Sequence, residues 1–362
     1  MGAADEHMTS AESALHCPSD VGGMEGRTVT PIIPVHDFGV GLSRHIPTHF
    51  SAMLDRTSQA LLANTAAMVG VLGVLSTTLA ARARKNKAFT CTLSTSVAKT
   101  KNKAKCEIYS LAMALLWIGS VVVVIATQAF ERWGPWGYMA YCSSCAALYL
   151  LVPYTPGLAE LLHIGDSSTA WHERYITKAN LWIAIFSFIG NYWYTHYFYR
   201  VLKAKYTFDA HMLNDVPICL YLMTHAYFMF YHVLSNFAIR FVHTRYEKNT
   251  ARFVFTCVLV AVMAYMTAVG EAVTIAAFPY YSFEDRHSAI VIGSAFYGIY
   301  FLASFPMFYS IDEPDHDRAS APVTYWSLER TAVSSFAAGM IVLCLLDFSR
   351  LAFTHVELFS AL

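Results

Sequence analysis

The stretch EIYSLAMALLWIGSVVVVIATQAFE, residues 107–131, decides the fold. It holds 23 uncharged residues between Glu107 and Glu131. A bilayer-spanning helix needs about 20 predominantly apolar residues, so this interval reads as one span. Further charge-free intervals follow along the chain. Between Arg132 and Glu160 lie 27 residues, opening on the turn-like Trp133-Gly134-Pro135; between Lys178 and Arg200 lie 21; between Asp215 and Arg240 lie 24. The interval from Arg252 to Glu284 has 31, broken by the single carboxylate Glu271; Ser288 to Ile311 has 24; the last runs from about Thr331 to Phe353, with Asp347 and Arg350 in its final turns.

These seven intervals predict an all-α, polytopic membrane helix bundle over residues 107–353. A weaker eighth interval, residues 57–81, is rich in Ala, Thr and Gly with Asn64 inside it, and is expected either to span or to lie on the surface. Residues 1–56 are polar and mixed, without an apolar core near the start, and read as a disordered tail rather than a secretory signal. Residues 82–106 carry eight basic residues and no acid, and read as a basic cytoplasmic loop. Placing it inside puts 16 of the 25 Lys and Arg on the cytoplasmic side, as the positive-inside rule requires.

Composition agrees. Of 362 residues, 56% are hydrophobic and 14% charged, against about 25% charged in an average soluble domain. The formal net charge is zero, which argues against a nucleic-acid partner and leaves the lipid bilayer as the expected surroundings. The eight cysteines are scattered through apolar runs; Cys142-x-x-Cys145 has no second pair and reads as small helix residues, not as a zinc or redox motif.

An ionisable group within the hydrocarbon layer costs at least ~2.5–3.5 kcal/mol and needs a reason. In 216–239, successive 100° steps put Tyr221, His225, His232 and Asn236 on one polar stripe. The stripe reads as ligand-facing, with interhelical hydrogen bonding as the alternative. Glu271 is the only acid deep in its span, with Thr267 and Thr274 near its face. Desolvation favours the neutral, protonated form of such a carboxyl, and a neutral acid in an apolar cavity is what a proton donor to hydrocarbon requires. The alternative is a structural hydrogen bond or ion pair. Asn180, Ser187 and Asn191 share a side of 179–199, while His196 points elsewhere. Asp347 and Arg350 are spaced as an (i, i+3) pair. With span directions alternating, Asn191, His196, His225, Glu271 and Asp347 all fall in the half of the membrane away from the basic loop.

Several chemistries lack their sequence signals. The fifteen histidines do not form the clustered boxes of membrane di-iron oxidases; the one HxxxH, His45 and His49, lies in the tail. There is no Walker A lysine loop, no dinucleotide-binding glycine fingerprint and no GxSxG elbow. Chemistry without cofactor or metal is the simplest enzymatic reading.

Four stretches are similar to the cycloeucalenol cycloisomerases, the cyclopropyl sterol isomerase family: KANLWIAIFSFIGNYWYTHYFYRVLKAKYTF (178–208), NDVPICLYLMTHAYFMFYHVLSN (214–236), FPYYSFEDR (278–286) and YGIYFLASFPMFYSIDE (297–313). The similarity includes Asn191 and Thr195-His196, the pairs Thr224-His225 and Tyr231-His232, the acid seven residues before the Phe278-Pro279-Tyr280-Tyr281 run, and the Leu346-Asp347-x-x-Arg350 element. It covers about 107–353, and residues 1–105 have no counterpart in it.

The resemblance implies an isomerase of sterol biosynthesis acting on a 9β,19-cyclopropyl sterol, in the endoplasmic reticulum membrane. A proton adds to the bridging methylene, which becomes an angular methyl; loss of a neighbouring ring proton converts cycloeucalenol to obtusifoliol, without oxidation or cofactor. Such a step needs a strong acid, a site that tolerates a tertiary cation, and a weak base. Glu271 is expected as the donor and His225 or His232 as the acceptor. The faces of Trp193, Tyr227 and Tyr231 are expected to stabilise the cation. Asp285 or Asp347 could take the place of Glu271. The competing readings are a sterol-binding transporter or receptor and a sterol double-bond isomerase.

Overall fold

The computed structural model describes residues 70, 73, 74, 77, 97–162, 164, 169–194, 199, 203–277, 280–284, 286–317 and 322–353. The protein is mostly helical. In chain order it forms α1 (Val97–Ala126), α2 (Pro135–Leu150), the short α3 (Pro156–Leu161), α4 (Tyr175–Trp193), α5 (Ile218–Arg245), α6 (Thr250–Ala277), α7 (Arg286–Tyr309) and α8 (Leu328–Phe353). The seven longer helices occupy the seven charge-free intervals. Four of them, over Asn102–Ala126, Ile218–Arg245, Thr250–Ile275 and Leu328–Ala352, are long and apolar enough to cross a membrane. Of the 57–81 interval only four residues are described, each helical; the 1–56 tail lies outside the described residues.

Charge was a poor marker of where helices begin and end. α1 starts at Val97, ten residues before Glu107, so the last part of the expected basic loop is helix. α5 likewise runs through Arg240 to Arg245. Both helices continue because their charges find partners, as described below.

α5 is the central element and packs against α1, α2, α4, α6 and α7, while α6 pairs with α7, and α8 with α4 and α7. Gly298 on α7 explains part of the close α6–α7 fit: a Cβ there would lie 3.6 Å from the Tyr265 backbone. Trp182, Phe186, Phe228, Phe301, Phe305 and Phe308 are almost entirely buried at the junction of α4, α5 and α7.

Among the described residues four short strands lie at one end. β1 (Ala204–Tyr206) pairs antiparallel with β4 (Tyr281–Phe283), matching Ala204 with Phe283 and Tyr206 with Tyr281. β2 (Met212–Leu213) and β3 (Val216–Pro217) form a hairpin. Its corner residues Asn214 and Asp215 have φ of 53° and 60°, the sign pattern of a type I′ turn, which Asn and Asp tolerate. Tyr221 on α5 donates to the Leu213 carbonyl at 3.0 Å and holds this hairpin against the helix.

Candidate functional site

Two polar regions lie toward opposite ends of the helices. At the ends of α1, α4, α5 and α6 that carry the basic residues, charges are buried in pairs. Arg240 donates to both oxygens of the wholly buried Glu107 at 2.6 and 3.0 Å, and to both oxygens of Glu313 at 2.7 and 2.8 Å. Lys103 meets Glu313 at 2.6 Å and donates to the carbonyls of Tyr309 and Ile311. His316 touches Glu313 at 2.8 Å. Lys178 pairs with Asp312 at 2.7 Å, and Arg252 with Asp317 at 2.6 Å. Burial alone would raise the Glu313 carboxyl, but Lys103 and Arg240 outweigh it and hold the group well below the ordinary carboxylate range. Glu107 and Arg240 mark span boundaries in the sequence; in the fold they are one pair joining α1 to α5.

The other region is a cavity of about 640 Å³, within the ~300–1,000 Å³ range of small-molecule sites. α5 supplies its back wall through Met223, Thr224, Tyr227 and Tyr231; α1 flanks it on one side and α6 and α7 on another. Most of the wall is apolar or aromatic. Among the described residues Glu271 is its one carboxyl, and no described Lys, Arg or His lines it. The Tyr297 hydroxyl lies 3.0 Å from both Glu271 carboxyl oxygens. Tyr141, Tyr194, Tyr281 and Tyr300 also contribute to the wall. A second polar spot is Asn191 with Thr224: Thr224 Oγ1 lies 3.4 Å from Asn191 Oδ1 and 2.9 Å from the Tyr227 hydroxyl, and Asn191 Nδ2 donates to the Ser187 carbonyl at 2.9 Å.

Of the expected site residues, Glu271, Asn191, Tyr227 and Tyr231 line this cavity together. The polar stripe of α5 does not. Cavity-lining residues of α5 centre about 200° around the helix from His225, so the stripe faces the opposite way, into the helix packing. His225 Nε2 bonds Asn180 Oδ1 at 3.0 Å, and Asn180 Nδ2 donates to the Tyr149 carbonyl. His232 contacts Ser304 at 2.9 Å and the Phe228 carbonyl at 2.7 Å within a ring of aromatic side chains. Asn236 donates to Glu107 at 2.8 Å and belongs with the ion pairs. Tyr221 holds the hairpin. Trp193 is 57% exposed and Asp347 is exposed; neither lines the cavity. His196 and Asp285 lie outside the described residues. Among the described residues no cluster of three metal-ligating side chains occurs.

Tyr297, which pairs with Glu271 in the cavity wall, is a candidate residue that sequence reasoning missed. The signal was present: it opens the YGIYFLASF stretch, but pairing it with Glu271 requires knowing that α6 and α7 pack side by side.

No protein-family model matches the chain, and no solved structure matches it. Cycloeucalenol cycloisomerase of Arabidopsis thaliana is 42% identical to it over 188 residues, 51% of this chain. The chain spans 65% of the length of that relative. Over that half of its length the chain is similar to cycloeucalenol cycloisomerase.

Proposed function

We propose that the protein opens the 9β,19-cyclopropane ring of a cyclopropyl sterol, a reading supported by its similarity to a protein named cycloeucalenol cycloisomerase, and that Glu271 handles the proton. The observation that carries this reading is the Glu271–Tyr297 pair in an otherwise apolar and aromatic cavity. Among the described residues no cation faces this carboxyl across the cavity; a carboxyl in apolar surroundings costs less to bury as the neutral acid than as the ion, and the neutral acid is the form that donates.

The steps balance without an oxidant or reductant. Glu271 gives its proton to the bridging methylene, a carbon–carbon bond of the three-membered ring breaks, and positive charge forms on the adjacent ring carbon. The faces of Tyr227, Tyr231 and Tyr297 offer cation–π stabilisation, worth about 0.5–2 kcal/mol each. A neighbouring ring carbon then loses a proton and the double bond forms. His225 and His232 face away from the cavity, so the acceptor in this scheme is the Glu271 carboxylate just created, steadied by the Tyr297 hydroxyl. Glu271 thereby ends each turnover protonated, ready for the next.

In this reading all seven long helices are embedded in the bilayer, with the ion-paired ends toward the cytoplasm and the cavity in the opposite half. The endoplasmic reticulum is the membrane proposed. The test is conversion: the chain is expressed in membranes lacking cyclopropyl sterol isomerase and given cycloeucalenol without added cofactors. Obtusifoliol is the expected product by chromatography with mass detection. Unchanged cycloeucalenol with folded protein present would overturn the proposal.

A further inference from the structure

From the cavity's walls we infer that the substrate enters sideways, from the lipid, through a gap between α1 and α6. This rests on the reading of the cavity as a sterol site, and it adds a route. Val122 and Ile125 of α1 line the cavity and are also 60% and 49% exposed on the outside of the bundle. Thr274 of α6 does the same on the other flank. Residues that belong to a cavity wall and to the outer surface at once mark its mouth.

The packing explains why a mouth is there. α1 leans on α5, α4 and α2, whereas α6 leans on α5 and α7. Both therefore rest on α5, which forms the back of a groove whose front is the space between them. The ends of the groove are closed. Toward the water, Trp133, Tyr138, Phe208 and Tyr280 pack ring against ring in edge-on and tilted contacts, with centroid separations of 5.6 Å (Trp133–Tyr138), 4.8 Å (Tyr138–Phe208) and 5.8 Å (Phe208–Tyr280). The β1–β4 pair adds Tyr206, Tyr281 and Phe283 to that side of the wall. Toward the middle of the bundle, the buried Trp117, Phe228 and Tyr300 close it.

The mouth opens on an apolar surface. Leu115, Leu116 and Val123 of α1 are exposed beside it, on a helix apolar enough to lie in a bilayer. A solute that reaches it comes out of hydrocarbon and has no need to cross water, where its apolar area would be unfavourably hydrated. The occupant this fits is a rigid, polycyclic lipid dissolved in the half of the bilayer away from the basic helix ends.

The experiment measures entry separately from chemistry. Full-length protein in liposomes is exposed to a photoreactive cyclopropyl sterol carried in the same bilayer, and labelling is followed in time. The double variant Val122→Trp/Ile125→Trp puts two indoles in the gap. Val123→Trp, on the same helix but outside the cavity wall, is the control. The double variant should label about tenfold more slowly while reaching the same final extent, the pattern of a narrowed passage; Val123→Trp should match the wild type. Val122→Ala/Ile125→Ala, which opens the gap, should label faster and serves if the indoles prevent folding. Labelling of the double variant at the wild-type rate, or equal slowing by Val123→Trp, would overturn the route. Wild-type protein that labels but forms no ring-opened product would sink the catalytic reading alone.

Discussion

Replacing Glu271 by glutamine isolates the proton from everything else the side chain does. Glutamine has nearly the same shape and its oxygen still accepts from Tyr297, now 3.0 Å from each carboxyl oxygen. It has no acidic proton to give. A positioned general acid contributes about a hundredfold to ten-thousandfold. At about 1.36 kcal/mol per decade this is roughly 2.7–5.4 kcal/mol of barrier. The upper part of the range is expected here, because no other carboxyl among the described residues lines the cavity. The assay is conversion of cycloeucalenol by wild-type and Glu271→Gln protein in the same membranes, normalised to folded protein and to labelling by a sterol photoprobe. Retained labelling with turnover at the detection limit is the expected result. If Glu271→Gln keeps more than about a tenth of wild-type turnover, its effect falls below the smallest one a general acid should have, and the donor is another group.

Tyr297→Phe removes the hydroxyl but leaves the ring; turnover should fall by about tenfold, near the net value of one hydrogen bond to a charged group, with little further loss when combined with Glu271→Gln. His225→Gln should lower thermal stability in detergent yet leave turnover per folded molecule within a few fold, since the ring faces Asn180 and not the cavity; a collapse of turnover at full stability would return the histidine to the mechanism. Glu107→Gln removes the negative charge that Arg240 and Asn236 share and should destabilise the folded state by about 3 kcal/mol, the low end for a broken buried pair, because Arg240 keeps Glu313; an unchanged unfolding midpoint would refute this. Glu313, whose folded carboxyl is held below its ordinary range, contributes stability that is complete above the unfolded glutamate value of about 4.3 and is lost as pH falls toward the folded value. The difference in unfolding midpoint between wild type and Glu313→Gln should therefore be constant near neutrality and shrink below about pH 4.

The helices were legible because each long apolar interval can bury its backbone in only one way. Their ends were not, because a charge read alone looks like an exit from the membrane. Lys103, Glu107 and Arg240 stay within the helices because Glu107 pairs with Arg240 and Glu313 pairs with both Lys103 and Arg240, and a partner far away in the chain leaves no mark on local sequence. The same limit governed the site. Glu271 stood out as a lone acid in an apolar span, and the depth argument grouped it with Asn191. Angular reasoning on α5 found a true stripe, with Tyr221, His225, His232 and Asn236 on one side, but a stripe does not say what it faces. Tyr227 and Tyr231 on the far side of the same helix face the cavity, and Tyr297 needed the α6–α7 pairing to come into view.

The size of the cavity has a consequence for the protein at rest. Its wall is mostly apolar and aromatic around a space of about 640 Å³, and leaving that wall to water would hydrate it unfavourably. In the bilayer-embedded reading proposed above, acyl chains would occupy the space between turnovers. A sterol substrate, as proposed, would then arrive as a competitor, exchanging with acyl chains, and its apparent affinity would be a property of the surrounding bilayer as well as of the protein. The same enzyme should look tighter or weaker in membranes whose native lipids fill that space poorly or well.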